Sequence, residues 1–156
     1  MNVARTIAKA LAGLLLAAGV WACGPAYEMK APDDFKRFDK SSDFKLITAD
    51  GVRLKAREVD NYPKATLSFW SDAMKRHLVK RGYAFKSKLC FKNQAGVPGC
   101  TLDFVIPRGA EDWVFSETIF VQGERIVLIE AVGPYARFAP LEKRLRESFK
   151  TFSLGD

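Results

Sequence analysis

The sequence predicts an α+β fold, with a mainly antiparallel sheet of about six strands and helices packed on it. Three observations lead there. Segments with alternating apolar residues sit next to one another rather than alternating with helices. Two other segments repeat apolar residues at steps of three and four. Short turns containing glycine or proline separate consecutive strands. The predicted order is β-β-α-β-β-β-β-α, within a single domain over residues 41–156.

The first 22 residues read as an address rather than as part of that domain. Their only charges are Arg5 and Lys9, and residues 10–22 run without a charge as ALAGLLLAAGVWA. A basic start, a short apolar run and small residues before a break are the pattern of a secretory signal peptide. A membrane-spanning helix needs roughly 20 apolar residues, more than this run supplies. Val20-Trp21-Ala22-Cys23 resembles the lipobox of bacterial lipoproteins. The resemblance implies that Cys23 becomes the lipidated first residue of the mature chain. Several acyl chains anchor stably where one binds only marginally. Gly24, standing where an inner-membrane lipoprotein carries Asp, implies the periplasmic face of the outer membrane. Trp21 is larger than the residue usual at its position. Val20-x-Ala22 also suits general cleavage after Ala22, which would leave a soluble periplasmic protein.

The chain has 156 residues, 25 Lys and Arg against 18 Asp and Glu, and a net charge of +7. Removing residues 1–22 lowers that charge to +5. The remaining cations are scattered among acids, and an exported protein has little access to nucleic acid, so a nucleic-acid partner is not expected. Three cysteines lack the paired spacing of a metal site, and His77 alone cannot build a multi-histidine centre or easily supply a Ser-His-Asp relay. No metal or cofactor is expected.

Residues 23–40, polar and holding two prolines, read as the lipidated cysteine and a tether. A first hairpin follows, FKLI and VRLKARE turning at Asp50-Gly51. Val52, Leu54 and Ala56 share one face of its second strand. Arg53, Lys55 and Arg57 share the other, which meets water or lines a groove. Asp60-Asn61-Tyr62-Pro63 then offers helix-start residues. The predicted helix runs to about Lys80 and stops before Gly82, with Leu67, Trp70, Met74 and Leu78 as its buried stripe. His77 sits at the margin of that stripe as a structural residue.

Cys90 and Cys100 flank the turn-forming FKNQAGVPG, and two cysteines left in an oxidising compartment should pair. Their register conflicts with the apolar faces. Phe85, Leu89 and Phe91 alternate opposite to Cys90, whereas Cys100 shares a face with Leu102, Phe104 and Ile106. A bulge or irregular loop end, for instance at Gly99, would reconcile them. Beyond Pro107-Arg108-Gly109, DWVFSETIFV and ERIVLIEAV are joined at Gln122-Gly123. With Val121 opposite Glu124, Glu117 faces Leu128 and Phe115 faces Glu130. Both glutamates then lie diagonally adjacent on one face. Paired carboxylates can separate their pKa values and carry acid/base work. They can equally be bridged by the Arg53, Lys55 and Arg57 row. Gly133-Pro134 ends the last strand, and a closing helix from about Phe138 buries Leu141, Leu145 and Phe149.

The order of elements resembles the Mog1/PsbP-like fold, including periplasmic lipoproteins of the DcrB type. The residues that carry the resemblance are the ADGV hairpin, the Trp70 helix followed by Gly82-Tyr83, the DWVF…IFVQGERIVLIEA hairpin and the closing LEKRLRESF, over roughly residues 40–152. It implies a binding or assembly role more often than chemistry, and it brings no catalytic motif to any position here. The expectation is a non-enzymatic envelope lipoprotein holding a partner protein or an amphipathic ligand. The expected contact surface is Arg53, Lys55 and Arg57, with Glu117, Glu130 and the Trp113 and Tyr135 loops. The alternatives are an envelope hydrolase or lyase using Glu117 and Glu130, and a structural lipoprotein of outer-membrane assembly.

Overall fold

The run Ile126-Val127-Leu128-Ile129 is apolar at every position, where a strand with one wet face would alternate. All four residues are buried, because their strand lies inside the sheet with side chains packed on both faces. A computed structural model describes residues 27–38 and 44–154 of the chain. Residues 1–22, read as a signal peptide, and Cys23 lie outside the described residues.

The strands are β1 (Tyr27–Glu28), β2 (Lys36–Arg37), β3 (Phe44–Ile47), β4 (Arg53–Asp60), β5 (Ala84–Lys92), β6 (Pro98–Arg108), β7 (Glu111–Gln122), β8 (Arg125–Pro134) and β9 (Ser153–Leu154). Helix α1 spans Leu67–Lys80. The closing segment is α2 (Tyr135–Phe138), a 3₁₀ turn (Ala139–Leu141) and α3 (Glu142–Lys150). Seven strands form one antiparallel sheet in the order β2-β3-β4-β8-β7-β6-β5. The predicted fold class is thus the observed one.

The strand count differs from the expected six through segments too short to show a pattern. β2 extends the sheet, and β1 pairs with β9 in a separate ribbon. The stretch read as a tether is therefore partly folded: Phe35 is buried, and Met29 and Ala31 pack against the core. Dipeptide strands carry no periodicity from which they could be foreseen.

Each face of the sheet has its own helix. Leu141, Leu145 and Phe149, with Phe138 and Phe152, cover Val52, Leu54, Ile129 and Phe120 on one face. Pro140 has no N–H to give and sits in the 3₁₀ turn, which divides the closing helix expected to be continuous. On the other face Leu67, Trp70, Met74 and Leu78 meet Leu102, Phe104, Ile119 and Leu128. Burying each such side chain contributes roughly 1.5–3 kcal/mol.

Helix α1 starts later than its sequence suggests. Its N-cap is Thr66, whose hydroxyl accepts from the Phe69 N–H at 3.2 Å. Asn61 is buried and ties the β4–α1 connection to the β7–β8 turn instead. Its Nδ2 donates to the carbonyls of Gly123 and Ala65, and its Oδ1 accepts from Trp70 Nε1 at 2.7 Å. A side chain bonded on every side in this way is not free to cap a helix. The C-terminal stop is as expected. Gly82, at φ 89°, donates to the Val79 carbonyl and Tyr83 to the Leu78 carbonyl, the Schellman pattern.

Cys90 and Cys100 stand directly opposite in the ladder and form a disulfide. The register conflict resolves between Phe85 and Ser87 rather than at Gly99. The bulge there puts Phe85 on the same face as Cys90 and Leu102. By the chain-entropy account a loop of this length gives roughly 3 kcal/mol.

Candidate functional site

Because directly opposed residues share a face, the ladder fixes which side chains meet across the sheet. On the α1 face, one row across β4, β8 and β7 reads Val59–Ile126–Val121. The next reads Arg57–Leu128–Ile119, the third Lys55–Glu130–Glu117, and the fourth Arg53–Val132–Phe115. The face thus changes from apolar to charged within four rows.

The β7–β8 register differs from the expected one. Gln122 pairs with Arg125, so the turn residues are Gly123 and Glu124. Gly123 has φ 60° and, among the described residues, no non-glycine residue has positive φ, the pattern of a II′ loop with glycine first. Gly123 is therefore a turn residue with Glu124, not the partner of Gln122 in a two-residue loop. This places Glu117 directly opposite Glu130 instead of diagonal to it, with Cβ atoms about 5 Å apart.

The two carboxylates have different surroundings. Glu130 is partly exposed and pairs with Lys55 Nζ at 3.3 Å. Glu117 is 2% exposed, and its Oε1 has no hydrogen-bond partner. Burial pushes the Glu117 pKa up to about 7, and the charge of Glu130 adds to the rise. Arg57 and Lys55 act in the opposite direction. Glu117 is therefore largely a neutral acid below that pH and a buried anion above it.

Beside these charges lies a groove. Helix α1 lies mainly over β5, β6 and β7, so its other flank overhangs β8 and β4 without closing on them. The opening of about 250 Å³ is walled by Trp70, Met74 and His77 of α1 and by Val59, Ile126 and Leu128 of the sheet. Asp60 stands at its apolar end. Arg57, opposite Leu128, borders it on the β4 side and is exposed. Among the described residues Arg57 has no ion-pair partner.

The residues singled out in the sequence separate into three places. Arg53, Lys55, Arg57, Glu117 and Glu130 come together on the α1 face. Trp113 shares that face one row beyond Phe115, under the Arg108 guanidinium at 4.8 Å. Tyr135 does not join them. It opens α2, lines a separate cleft with Val105 and Arg137, and lies near Lys86. The disulfide joins β5 and β6 at the sheet edge, with β7 and β8 between it and β4, and Cys100 lies in the row of Ile119.

Two features were not foreseen. Trp70, Met74 and Leu128 carry an apolar signal, but the sequence cannot distinguish a residue that fills a core from one that leaves a slot beside it. The second is a polar cluster beneath α3. Buried Asp103 accepts from Ser87 at 2.6 Å, Ser116 at 2.7 Å and Arg146 at 2.6 Å, and Arg146 also bonds Glu142. Asp103 alternates with Leu102 and Phe104, and that alternation marked its face as non-core.

No protein-family model matches this sequence, and neither does any curated protein. Solved structures do match in shape. LpqN of Mycobacterium tuberculosis, described as involved in cell envelope biogenesis, superposes with a TM-score of 0.63 at 11% identity, covering 83% of each chain. The cyanobacterial PsbP (CyanoP) of Synechocystis sp. PCC 6803 gives 0.62 at 11% identity, over 83% of this chain and 87% of that one. Protein PA94 of Pseudomonas aeruginosa, of unknown function, gives 0.62 at 13% identity, over 83% of this chain and 98% of that one. The domain has the PsbP-like fold. At these identities the likeness concerns the fold alone.

Proposed function

We propose that this chain is a bacterial envelope lipoprotein, anchored through Cys23 on the periplasmic face of the outer membrane, whose domain binds a ligand or partner rather than catalysing a reaction. One observation carries the binding part: α1 leaves an apolar groove open beside an exposed row of cations on a rigid antiparallel sheet. Preformed apolar clefts with a few convergent polar groups are where proteins hold ligands. The fold shared with an envelope-biogenesis protein supports an exported role.

Acid/base chemistry at Glu117 and Glu130 fits the geometry less well. Glu130 is neutralised by Lys55, and Glu117 is nearly out of solvent reach. A general acid must come within hydrogen-bond reach of its substrate.

The test has two parts. Mass spectrometry of the protein from native membranes should find the mature chain beginning at an acylated Cys23, and the Cys23→Ser variant should leave the membrane fraction. Crosslinking from position 57 in cells should capture one specific envelope component. An unmodified Cys23 would remove the anchor from the reading. Substrate turnover that disappears in the Glu117→Gln and Glu130→Gln double variant, still folded, would replace binding with catalysis.

A further inference from the structure

We propose that the groove along α1 seats one single-chain amphiphile with an anionic head. Its chain lies against Trp70, Met74 and Ile126, its head is held by Arg57 and Lys55, and Glu117 competes with that head for the two cations in its ionised form. The inference rests on the binding reading above and names the ligand class for the same face.

The order of rows sets the orientation. The Val59–Ile126 row is apolar, and Arg57, then Lys55, follow at successive rows along β4. A ligand lying along the groove therefore meets hydrocarbon first and cations next. The volume of about 250 Å³ equals roughly eight waters at about 30 Å³ each, room for part of one acyl chain and not for two side by side. Lys55 is shared with Glu130, whereas Arg57 is exposed and available. The head thus finds one committed and one uncommitted cation.

Glu117 adds proton control. The charged groups facing it are Glu130 across β8 and Lys55 and Arg57 on β4, and the titratable group on the α1 flank of the groove is His77. Neutral Glu117 leaves the cations to a bound anion. Ionised Glu117 places a second carboxylate beside them and opposes that anion. By linkage, the ligand must in turn hold the proton on Glu117.

The experiment uses the full chain carrying Cys23→Ser, exported and cleaved after Ala22, so that no acyl chain of its own competes. Myristoyl lysophosphatidylglycerol, below its micelle threshold, is titrated by calorimetry at pH 6 and pH 8, on either side of about 7. Its head keeps its charge over that range. Saturable one-to-one binding is expected, about tenfold tighter than for myristoyl lysophosphatidylcholine, the effect of about one charge-assisted contact. Binding should be about fivefold tighter at pH 6 than at pH 8, the low end of site-to-site couplings.

Ala73 also lines the α1 wall of the groove, and Ala73→Met, which fills it, should abolish binding. Arg57→Ala, at an exposed position, should weaken it about tenfold and keeps the test valid should the filled groove unfold. Glu117→Gln should bind with its pH dependence gone. His77→Gln, on the α1 wall of the groove, runs in parallel and should keep the dependence.

Equal affinity for the two lipids, or full affinity in Ala73→Met, overturns the site. A pH dependence that survives Glu117→Gln, or vanishes in His77→Gln, overturns the role of Glu117 alone. A dimer that Ala73→Met dissolves would give the groove to a second copy and overturn the lipid assignment. Absence of lipid binding, with specific crosslinking from position 57 intact, overturns this inference and leaves the binding reading standing.

Discussion

Two buried carboxylates, one on each face of the same sheet, meet opposite conditions. Asp103 lies under α3, 3% exposed, and takes hydrogen bonds from Ser87, Ser116 and Arg146. Glu117 lies on the α1 face, 2% exposed, beside a second carboxylate and with Oε1 unpartnered. Among the described residues the α3 face is nearly complete as a polar structure, with Arg146 Nη1 left unpartnered. The α1 face is not. Burial that is fully bonded serves stability, whereas a buried acid without donors costs stability and persists where something else uses it. The contrast is the reason the proposed site is set on the α1 face.

Breaking the closed side should cost most. Arg146→Met leaves Asp103 buried with two hydroxyls and no cation, and should lower unfolding free energy by about 3 kcal/mol in urea melts. A loss under about 1 kcal/mol would mean that the network is not what holds α3 down.

On the open side the sign reverses. The folded pKa of Glu117 exceeds the ordinary carboxylate value, so the native state binds more protons than the unfolded chain between about 4.5 and about 7. Its contribution is fully present below that window and is lost as pH rises through it. The displacement is worth about 3–4 kcal/mol at most, at about 1.4 kcal/mol per pH unit. Glu117→Gln removes this penalty and buries a neutral amide instead. It should therefore gain about 2 kcal/mol over the natural protein at pH 8, and nothing near pH 4, below the ordinary carboxylate value. A variant destabilised at pH 8 would show that Glu117 is satisfied after all.

Smaller changes refine the comparison. Ser116→Ala takes one donor from Asp103 and should cost about 2 kcal/mol, as for other hydrogen bonds to charged groups. Thr66→Ala removes the α1 cap and should cost about 1 kcal/mol. If the α1 flank moves to admit its ligand, this variant should also change ligand affinity, whereas Ser116→Ala should leave it unchanged.

Much of the architecture could be read from the chain because it rests on local rules. The alternation of Val52, Leu54 and Ala56 against Arg53, Lys55 and Arg57 gave β4 its two faces. The Leu67, Trp70, Met74 and Leu78 steps placed α1, and the cysteines flanking a turn gave the disulfide. What escaped depends on tertiary context. Asn61 resembles a helix cap until its bonds to Gly123 and Trp70 are seen. Moving the β7–β8 turn by one residue shifts the ladder by two, and so decides whether Glu117 meets Leu128 or Glu130. The groove exists because α1 sits off-centre on the sheet, and no residue pattern encodes that offset.

The decisive measurement is a carbon-detected NMR titration of the Glu117 carboxyl, with and without myristoyl lysophosphatidylglycerol. The account predicts a midpoint near 7 in the free protein and a higher one with the lipid bound. An ordinary carboxylate midpoint near 4.5, unmoved by the lipid, would contradict it.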